Sequence, residues 1–199
     1  VNFPAVMERV QGVIKAIEPH DSVERFTSLG VEVELGEATI ESPYSVKVND
    51  RTITTRSIII ATGARPLAPP IPGLDEIEYL TSDSIWSLNE LPKRLLVIGG
   101  GPIGCELAQA FSNLGSEVTQ VDMADRIMAR EDEEVSEIVT KAFEKQGIRL
   151  LTSHKLLKFG SDEKGDFMEA DHDGDVVRVG FDKVLLAMGR KANVEGFCH

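Results

Sequence analysis

The chain is predicted to be an α/β protein built on a parallel sheet, with helices against it and an antiparallel β-meander added. Three features predict this. Residues 94–122 pass from an apolar β-type stretch through a glycine turn into a helical stretch, then into a second β-type stretch. Two more apolar runs, IRLLTSH at 148–154 and FDKVLLAMG at 181–189, are set off from that unit by helical residues and turns, the alternation that yields parallel strands. Between them KLLKFG, FMEADH and VVRV follow at short range, turned by Lys164-Gly165 and Asp173-Gly174, which is the pattern of a meander.

The remaining elements follow in chain order. Val6, Val10, Val13, Ile14 and Ile17 recur at helical spacing and predict a helix over 5–17, closed by Pro19. GVEVELGEATIES, YSVKV and ITT are predicted as short strands, with Asn49-Asp50 as one turn. SIIIATG, 57–63, is a continuous apolar run and is predicted as a strand buried on both faces. RPLAPPIPG, 65–73, is too rich in proline for a central element and is predicted as a stiff connector. A short helix is expected over Thr81–Leu91, before Pro92. Glu131–Gln146 is predicted as a longer helix with Val135, Ile138, Val139, Ala142 and Phe143 on one face, its acids gathered where the helix dipole favours them, and Gly147 at its end.

The stretch RLLVIGGGPIGCELAQAFSNLGSEVTQVD carries the chemistry. Gly99 permits a tight turn out of the strand, Gly101 lets backbone approach a pyrophosphate, and Gly104 lets the helix pack on the strand. Pro102 suits a first helical turn, because its missing N–H and fixed φ cost little there. Free N–H groups at the helix start, together with its dipole, favour the doubly negative diphosphate. Asp122 lies 21 residues after Gly101, at the end of the second strand, where a carboxylate accepts hydrogen bonds from a ribose diol. Strand, turn, helix, strand and acid together predict a Rossmann-like dinucleotide-binding domain.

Bulk properties exclude several classes. The 199 residues are 42% hydrophobic and 27% charged, enough for one or two domains with a real core. A net charge of −12 repels a phosphate backbone, so no nucleic-acid partner is expected. No apolar run approaches the roughly 18 residues of a membrane span, and the chain opens on VNFPAVMERV without a signal-peptide pattern. Cys105 and Cys198 are too few for a disulfide framework and stand in no metal-ligand spacing, which points to a cytoplasmic setting. Cys105 is expected to be a small buried residue packing helix on strand rather than a thiol activated by the helix start. His20, His154, His172 and His199 show no catalytic or metal spacing, and the glycine of DHDGD at 171–175 is misplaced for a calcium loop, so no metal site is expected.

Two apolar strands each end in a similar turn, IIIATGARP at 58–66 and LLAMGRKAN at 185–193, and they flank the glycine unit. With IPGL (71–74), TSD (81–83) and LPKRLLVIGGG, this arrangement resembles the pyridine nucleotide–disulfide oxidoreductases over essentially the whole chain; DMADRIMAREDEEVS is most similar to their dihydrolipoamide dehydrogenase-like and mercuric reductase-like members. The resemblance implies an NAD(P)-binding domain inserted into a two-part FAD-binding domain. Residues 1–64 would then be a partial FAD-domain remnant, 65–89 a connector, 90–192 the NAD(P)-binding domain, and 193–199 the start of a return to the FAD domain. It places Gly99, Gly101 and Gly104 on the pyrophosphate and Ile103 near the nicotinamide side. It has Glu106 positioning the nicotinamide against the flavin, Thr62 and Gly63 in a turn that approaches FAD, and Gly189 with Arg190 in a turn that closes over the nucleotide. Ala192 stands where the family often has proline.

The resemblance further implies a parent flavoprotein that passes hydride from NAD(P)H to FAD and on to a disulfide or other acceptor, working as a homodimer. The family's first glycine fingerprint, its CxxxxC pair, and its dimerisation domain with a His–Glu pair are not in these residues. No catalytic residue is therefore assigned to this chain, which is expected to be a central piece that neither holds FAD tightly nor turns over substrate. Asp122, followed by Met123, Ala124 and Asp125, favours NAD, since a carboxylate accepts from the 2′-hydroxyl and repels a 2′-phosphate; Arg126 and Arg130 leave NADP open. Two other readings stand beside this one: a stand-alone, non-catalytic NAD(H)-binding module, and an NADH oxidase or quinone reductase flavoprotein lacking the redox disulfide.

Overall fold

The computed structural model describes residues 1–197; Cys198 and His199 lie outside the described residues. The chain divides into two compact units, one of residues 1–8 and 66–190, the other of residues 9–65 and 191 onward. In chain order the elements are α1 (Phe3–Ile17), α2 (Val23–Ser28), β1 (Ala38–Ser42), β2 (Ser45–Val48), β3 (Arg51–Thr54), β4 (Ala64–Pro66) and β5 (Tyr79–Thr81). Then come β6 (Arg94–Ile98), α3 (Pro102–Leu114), β7 (Glu117–Val121), α4 (Glu133–Gln146), β8 (Arg149–Leu151), β9 (Lys155–Asp162) and β10 (Gly165–His172). β11 (Asp175–Gly180), β12 (Lys183–Leu186) and β13 (Arg190–Ala192) close the series.

The larger unit is a three-layer α/β structure. Its five-stranded sheet has the order β5-β12-β6-β7-β8, and every neighbouring pair is parallel. β6 shows why a continuous apolar run was needed: Leu95 and Val97 face the helices, while Leu96 and Ile98 face the meander. On the helix side Phe3, Cys105, Ala108, Phe111 and Phe143 fill the core; Phe3 and Phe111 have ring centroids 6.0 Å apart. On the other side the β9–β10–β11 meander covers the sheet with Phe159, Met168, Ala170 and Val179. Asp173 (φ 54°) and Gly174 (φ 93°) make the tight turn from β10 to β11, as the sequence predicted. The Rossmann-like parallel sheet with helices and an added meander is thus present. No helix among the described residues is long and apolar enough to cross a membrane.

The smaller unit holds α2, entered through Ser22, whose Oγ accepts from the Arg25 N–H, and an antiparallel β1-β2-β3 sheet. Asn49 takes φ 52° at the β2–β3 turn, a conformation asparagine tolerates. Thr62 and Asn193 are bonded reciprocally: the Thr62 hydroxyl donates to the Asn193 carbonyl at 2.5 Å, and Asn193 Nδ2 donates to the Thr62 carbonyl at 3.0 Å. Arg65 adds bonds to Asn193 Oδ1 and to both oxygens of Glu195.

Four local expectations need correction. SIIIATG forms no strand, and Ile59 and Ile60 are 91% and 55% exposed; none of the described strand pairings includes residues 57–63, and extended pairing begins only at β4. GVEVELGEATIES is extended in part only, with β1 beginning at Ala38. Over Thr81–Leu91 there is no α-helix: β5 ends at Thr81, side-chain bonds from Ser84 and Thr81 tighten a turn, and Ile85–Ser87 is a single 3-10 turn. In α4, Val135 and Ile138 are exposed, and the buried face is carried by Ser136 and Phe143 with Val139 beside them. The helix is rotated because the Ser136 hydroxyl donates to the Ile127 carbonyl at 2.6 Å.

Candidate functional site

The site lies at the carboxyl ends of adjacent parallel strands, where α/β sheets open a crevice for ligands. β6 ends at Ile98 and β7 at Val121; the Gly99 N–H donates to the Val121 carbonyl at 2.8 Å, so turn and acid leave the sheet side by side. Gly99 has φ 115°, and a Cβ there would lie 2.3 Å from the Ala187 carbonyl oxygen. A Cβ on Gly104 would lie 2.2 Å from the Gly99 oxygen, so α3 packs against the turn with no room for a methyl. Gly101 is different: it has ordinary φ −77° and ψ 178°, and nothing stands within 4 Å of where its Cβ would be. Its side chain is missing from open space, on the side where a ligand would sit.

Gly101 is the N-cap of α3 and Pro102 follows it; no side chain caps the helix. The first helical bond runs from the Cys105 N–H to the Gly101 carbonyl, and among the described residues the N–H groups of Gly101, Ile103 and Gly104 have no acceptor. Three donors and the positive end of the dipole therefore converge on this end of the helix. Asp122 sits half-buried beside it; one carboxylate oxygen accepts from the Gly100 N–H at 2.5 Å and the other from the Ala124 N–H at 2.7 Å. Each oxygen keeps a free lone pair for a further donor.

The larger unit also places Ile103, Glu106 and Met123 at this end, all exposed, with Met123 at 79%. Arg126 is committed elsewhere: its guanidinium bonds the carbonyls of Met128, Ala129 and Glu131 and so folds the loop after Asp122. Gly189 (φ 112°) follows β12 and accepts from the Leu67 N–H. Arg190 bonds the Ser82 hydroxyl and pairs with Asp83 of the TSD turn. Thr62 and Gly63 belong to the smaller unit, where both bond Asn193. Cys105 is buried, and burial, the largest influence, pushes its thiol pKa up. It stays a protonated donor to the Gly100 carbonyl at 3.4 Å, not an activated nucleophile.

Two residues of the site escaped the sequence reading. Gly100 is fixed on both sides, its N–H by Asp122 and its carbonyl by the Met128 N–H at 2.7 Å, and a Cβ would meet Asp122 and Ile127 at 3.1 Å. The run of three glycines was the available signal. Gln120, 1% exposed beneath the turn, was hidden by its strand position. A separate cleft of about 430 Å³ opens at the other end of the strands, but Arg94 and Arg178 there are paired with Asp182 and Asp162.

The family model described as pyridine nucleotide-disulphide oxidoreductase matches residues 4–199. The chain is 36% identical over 188 residues to a mercuric reductase of Staphylococcus aureus, covering 94% of this chain and 34% of that protein. It is 34% identical over 194 residues to a dihydrolipoyl dehydrogenase of Mycoplasma pneumoniae, covering 96% and 40%. Among solved structures, the HOCl-induced flavoprotein disulfide reductase RclA from Escherichia coli superposes with a TM-score of 0.80 at 26% identity, over 99% of this chain and 45% of that one. The chain spans less than half the length of these relatives. With a glycine turn at the strand ends and a family match over almost every residue, the chain belongs to the pyridine nucleotide–disulphide oxidoreductase family.

Proposed function

We propose that this chain is the NAD(H)-binding part of a flavin-dependent disulfide oxidoreductase, with residues 1–64 as FAD-domain remnant, 65–89 as connector and 90–192 as nucleotide domain. The observation that carries the reading is the empty space at Gly101 beside three unpaired N–H donors. Neither a contact nor a left-handed backbone in this chain calls for glycine at the N-cap of α3, whereas a diphosphate approaching the helix start does. The diphosphate would take the N–H groups of Gly101, Ile103 and Gly104, and the adenosine ribose would donate to Asp122. Pro102 shapes the helix start, and Met123 flanks the sugar. Ile103 and Glu106 lie on the nicotinamide side, and Gly189 lies in a turn next to the nucleotide. Thr62 and Gly63 would approach the flavin.

NAD is favoured over NADP because Asp122 repels a 2′-phosphate while Arg126, the nearest guanidinium in sequence, is held by three carbonyls. When bound, the nicotinamide supplies the hydride that FAD takes and that a disulfide or other acceptor receives. The residues of this chain bind, orient and select the nucleotide. Family likeness supports a cytoplasmic homodimeric parent.

The test is calorimetric titration of the chain with NADH and NADPH, beside the variant Gly101→Ala. NADH should bind the more tightly, and Gly101→Ala should weaken it at least about tenfold, roughly 1.4 kcal/mol, with the thermal midpoint unchanged. Equal NADPH binding would reject the NAD assignment, and unaltered affinity in Gly101→Ala would reject the diphosphate site.

A further inference from the structure

Gln120 occupies a position of β7 where an apolar residue would be the less costly choice. It shares the helix-facing side of the strand with Val118 and is 1% exposed beneath α3. Its amide is only half satisfied. Nε2 donates to the Gly99 carbonyl at 2.9 Å and approaches Cys105 Sγ at 3.6 Å, whereas Oε1 is buried with no partner among the described residues. Turning the amide over would set Oε1 against the Gly99 oxygen, so the orientation is fixed and the orphan is unavoidable. An unsatisfied buried carbonyl is a standing cost, and the bond to Gly99 is what Gln120 provides in return.

The effect of that bond follows from peptide geometry. In a trans peptide the C=O and the next N–H point in opposite directions. Holding the Gly99 oxygen down toward β7 turns the Gly100 N–H outward, and that N–H is the donor to Asp122. The same logic works one residue later, where Cys105 and the Met128 N–H hold the Gly100 oxygen and leave the Gly101 N–H free. We propose that Gln120 is a positioning residue for dinucleotide selection: through the Gly99–Gly100 peptide it fixes the Asp122 carboxylate that tells a ribose diol from a 2′-phosphate. The inference rests on the dinucleotide reading of the site.

Gln120→Met keeps the volume and removes both the donor and the orphan acceptor. In this variant of the chain NADH affinity should fall about tenfold, the loss expected for one hydrogen bond to a charged group. NADPH affinity should change little, the preference between them should narrow, and the thermal midpoint should hold, since one orphaned carbonyl, Oε1, is exchanged for another, the Gly99 oxygen. Amide exchange at Gly100 should speed up by a similar factor, with or without nucleotide. A preference that stays the same, equal losses for both nucleotides that track a fall in the midpoint, or unaltered Gly100 exchange would each overturn the proposal. Failure of both Gln120→Met and Gln120→Leu to fold would make the residue structural and overturn it too. If the native chain bound neither nucleotide, the functional reading would fall, while the exchange rate at Gly100 would still decide whether Gln120 positions the turn.

Discussion

A methyl group at Gly104 would overlap the Gly99 carbonyl at 2.2 Å and crowd Gln120 Nε2 at 3.1 Å, and the first of these is backbone that cannot step aside. Gly104→Ala should therefore destabilise the chain by about 1–3 kcal/mol or more, read as a lower denaturant midpoint. Gly101→Ala should leave that midpoint where it is. An equal response at both positions would mean that Gly101 has a packing role after all. Gly99, Gly101, Gly104 and Asp122 were legible in the sequence because their spacing is set by local geometry, one turn of chain and one strand's length. Gly100 and Gln120 were not, since their partners Asp122 and Gly99 lie 22 and 21 residues away across two strands. A glutamine buried between Val118 and Val121 in β7 is a visible oddity, but only the fold says what it holds.

Among the elements, β6 has an apolar side chain at four successive positions because it is covered twice, by helices and by the meander. Leu96, fully buried on the meander side, should cost about 2–5 kcal/mol when cut to alanine, measured by equilibrium denaturation. A smaller loss would show that the β9–β11 layer moves in to fill the gap. SIIIATG holds a continuous apolar run as β6 does and yet is not a strand. Composition says that both faces of such a run want cover, and says nothing about which element supplies it. The α4 periodicity misplaced the buried face for a related reason. A serine hydroxyl, which no hydrophobic count rewards, found a carbonyl at Ile127 and set the rotation. The meander was legible in outline because its turns and pairings are local, but its first turn falls at Glu163–Lys164, one residue before the expected Lys164-Gly165, and the irregularity between Glu169 and Ala170 had no local signal.

At the scale of the molecule, segments far apart in sequence are tied by polar bonds that no periodicity announces. Thr62 and Asn193 are 131 positions apart, and beside them Arg65 and Lys191 hold the Glu195 carboxyl at about 2, well below its ordinary 4.5. A depressed carboxyl pKa contributes stability that is present in full above the unfolded value and is lost as pH falls through the folded one. The gap in thermal midpoint between the native chain and Glu195→Gln should therefore be constant from pH 7 to about 5. It should close between pH 4.5 and about 2. A gap that does not depend on pH would remove Glu195 from the acid response. The strand order has its own consequence for how the protein comes into being. β12, at 183–186, lies between β5 and β6, which are made about a hundred residues earlier. A ribosome thus delivers both neighbours of β12 before β12 itself. Until that late strand emerges, two unpaired edges face each other across a vacant lane, open to wrong partners or to a chaperone, and the nucleotide crevice has no floor beneath Gly99.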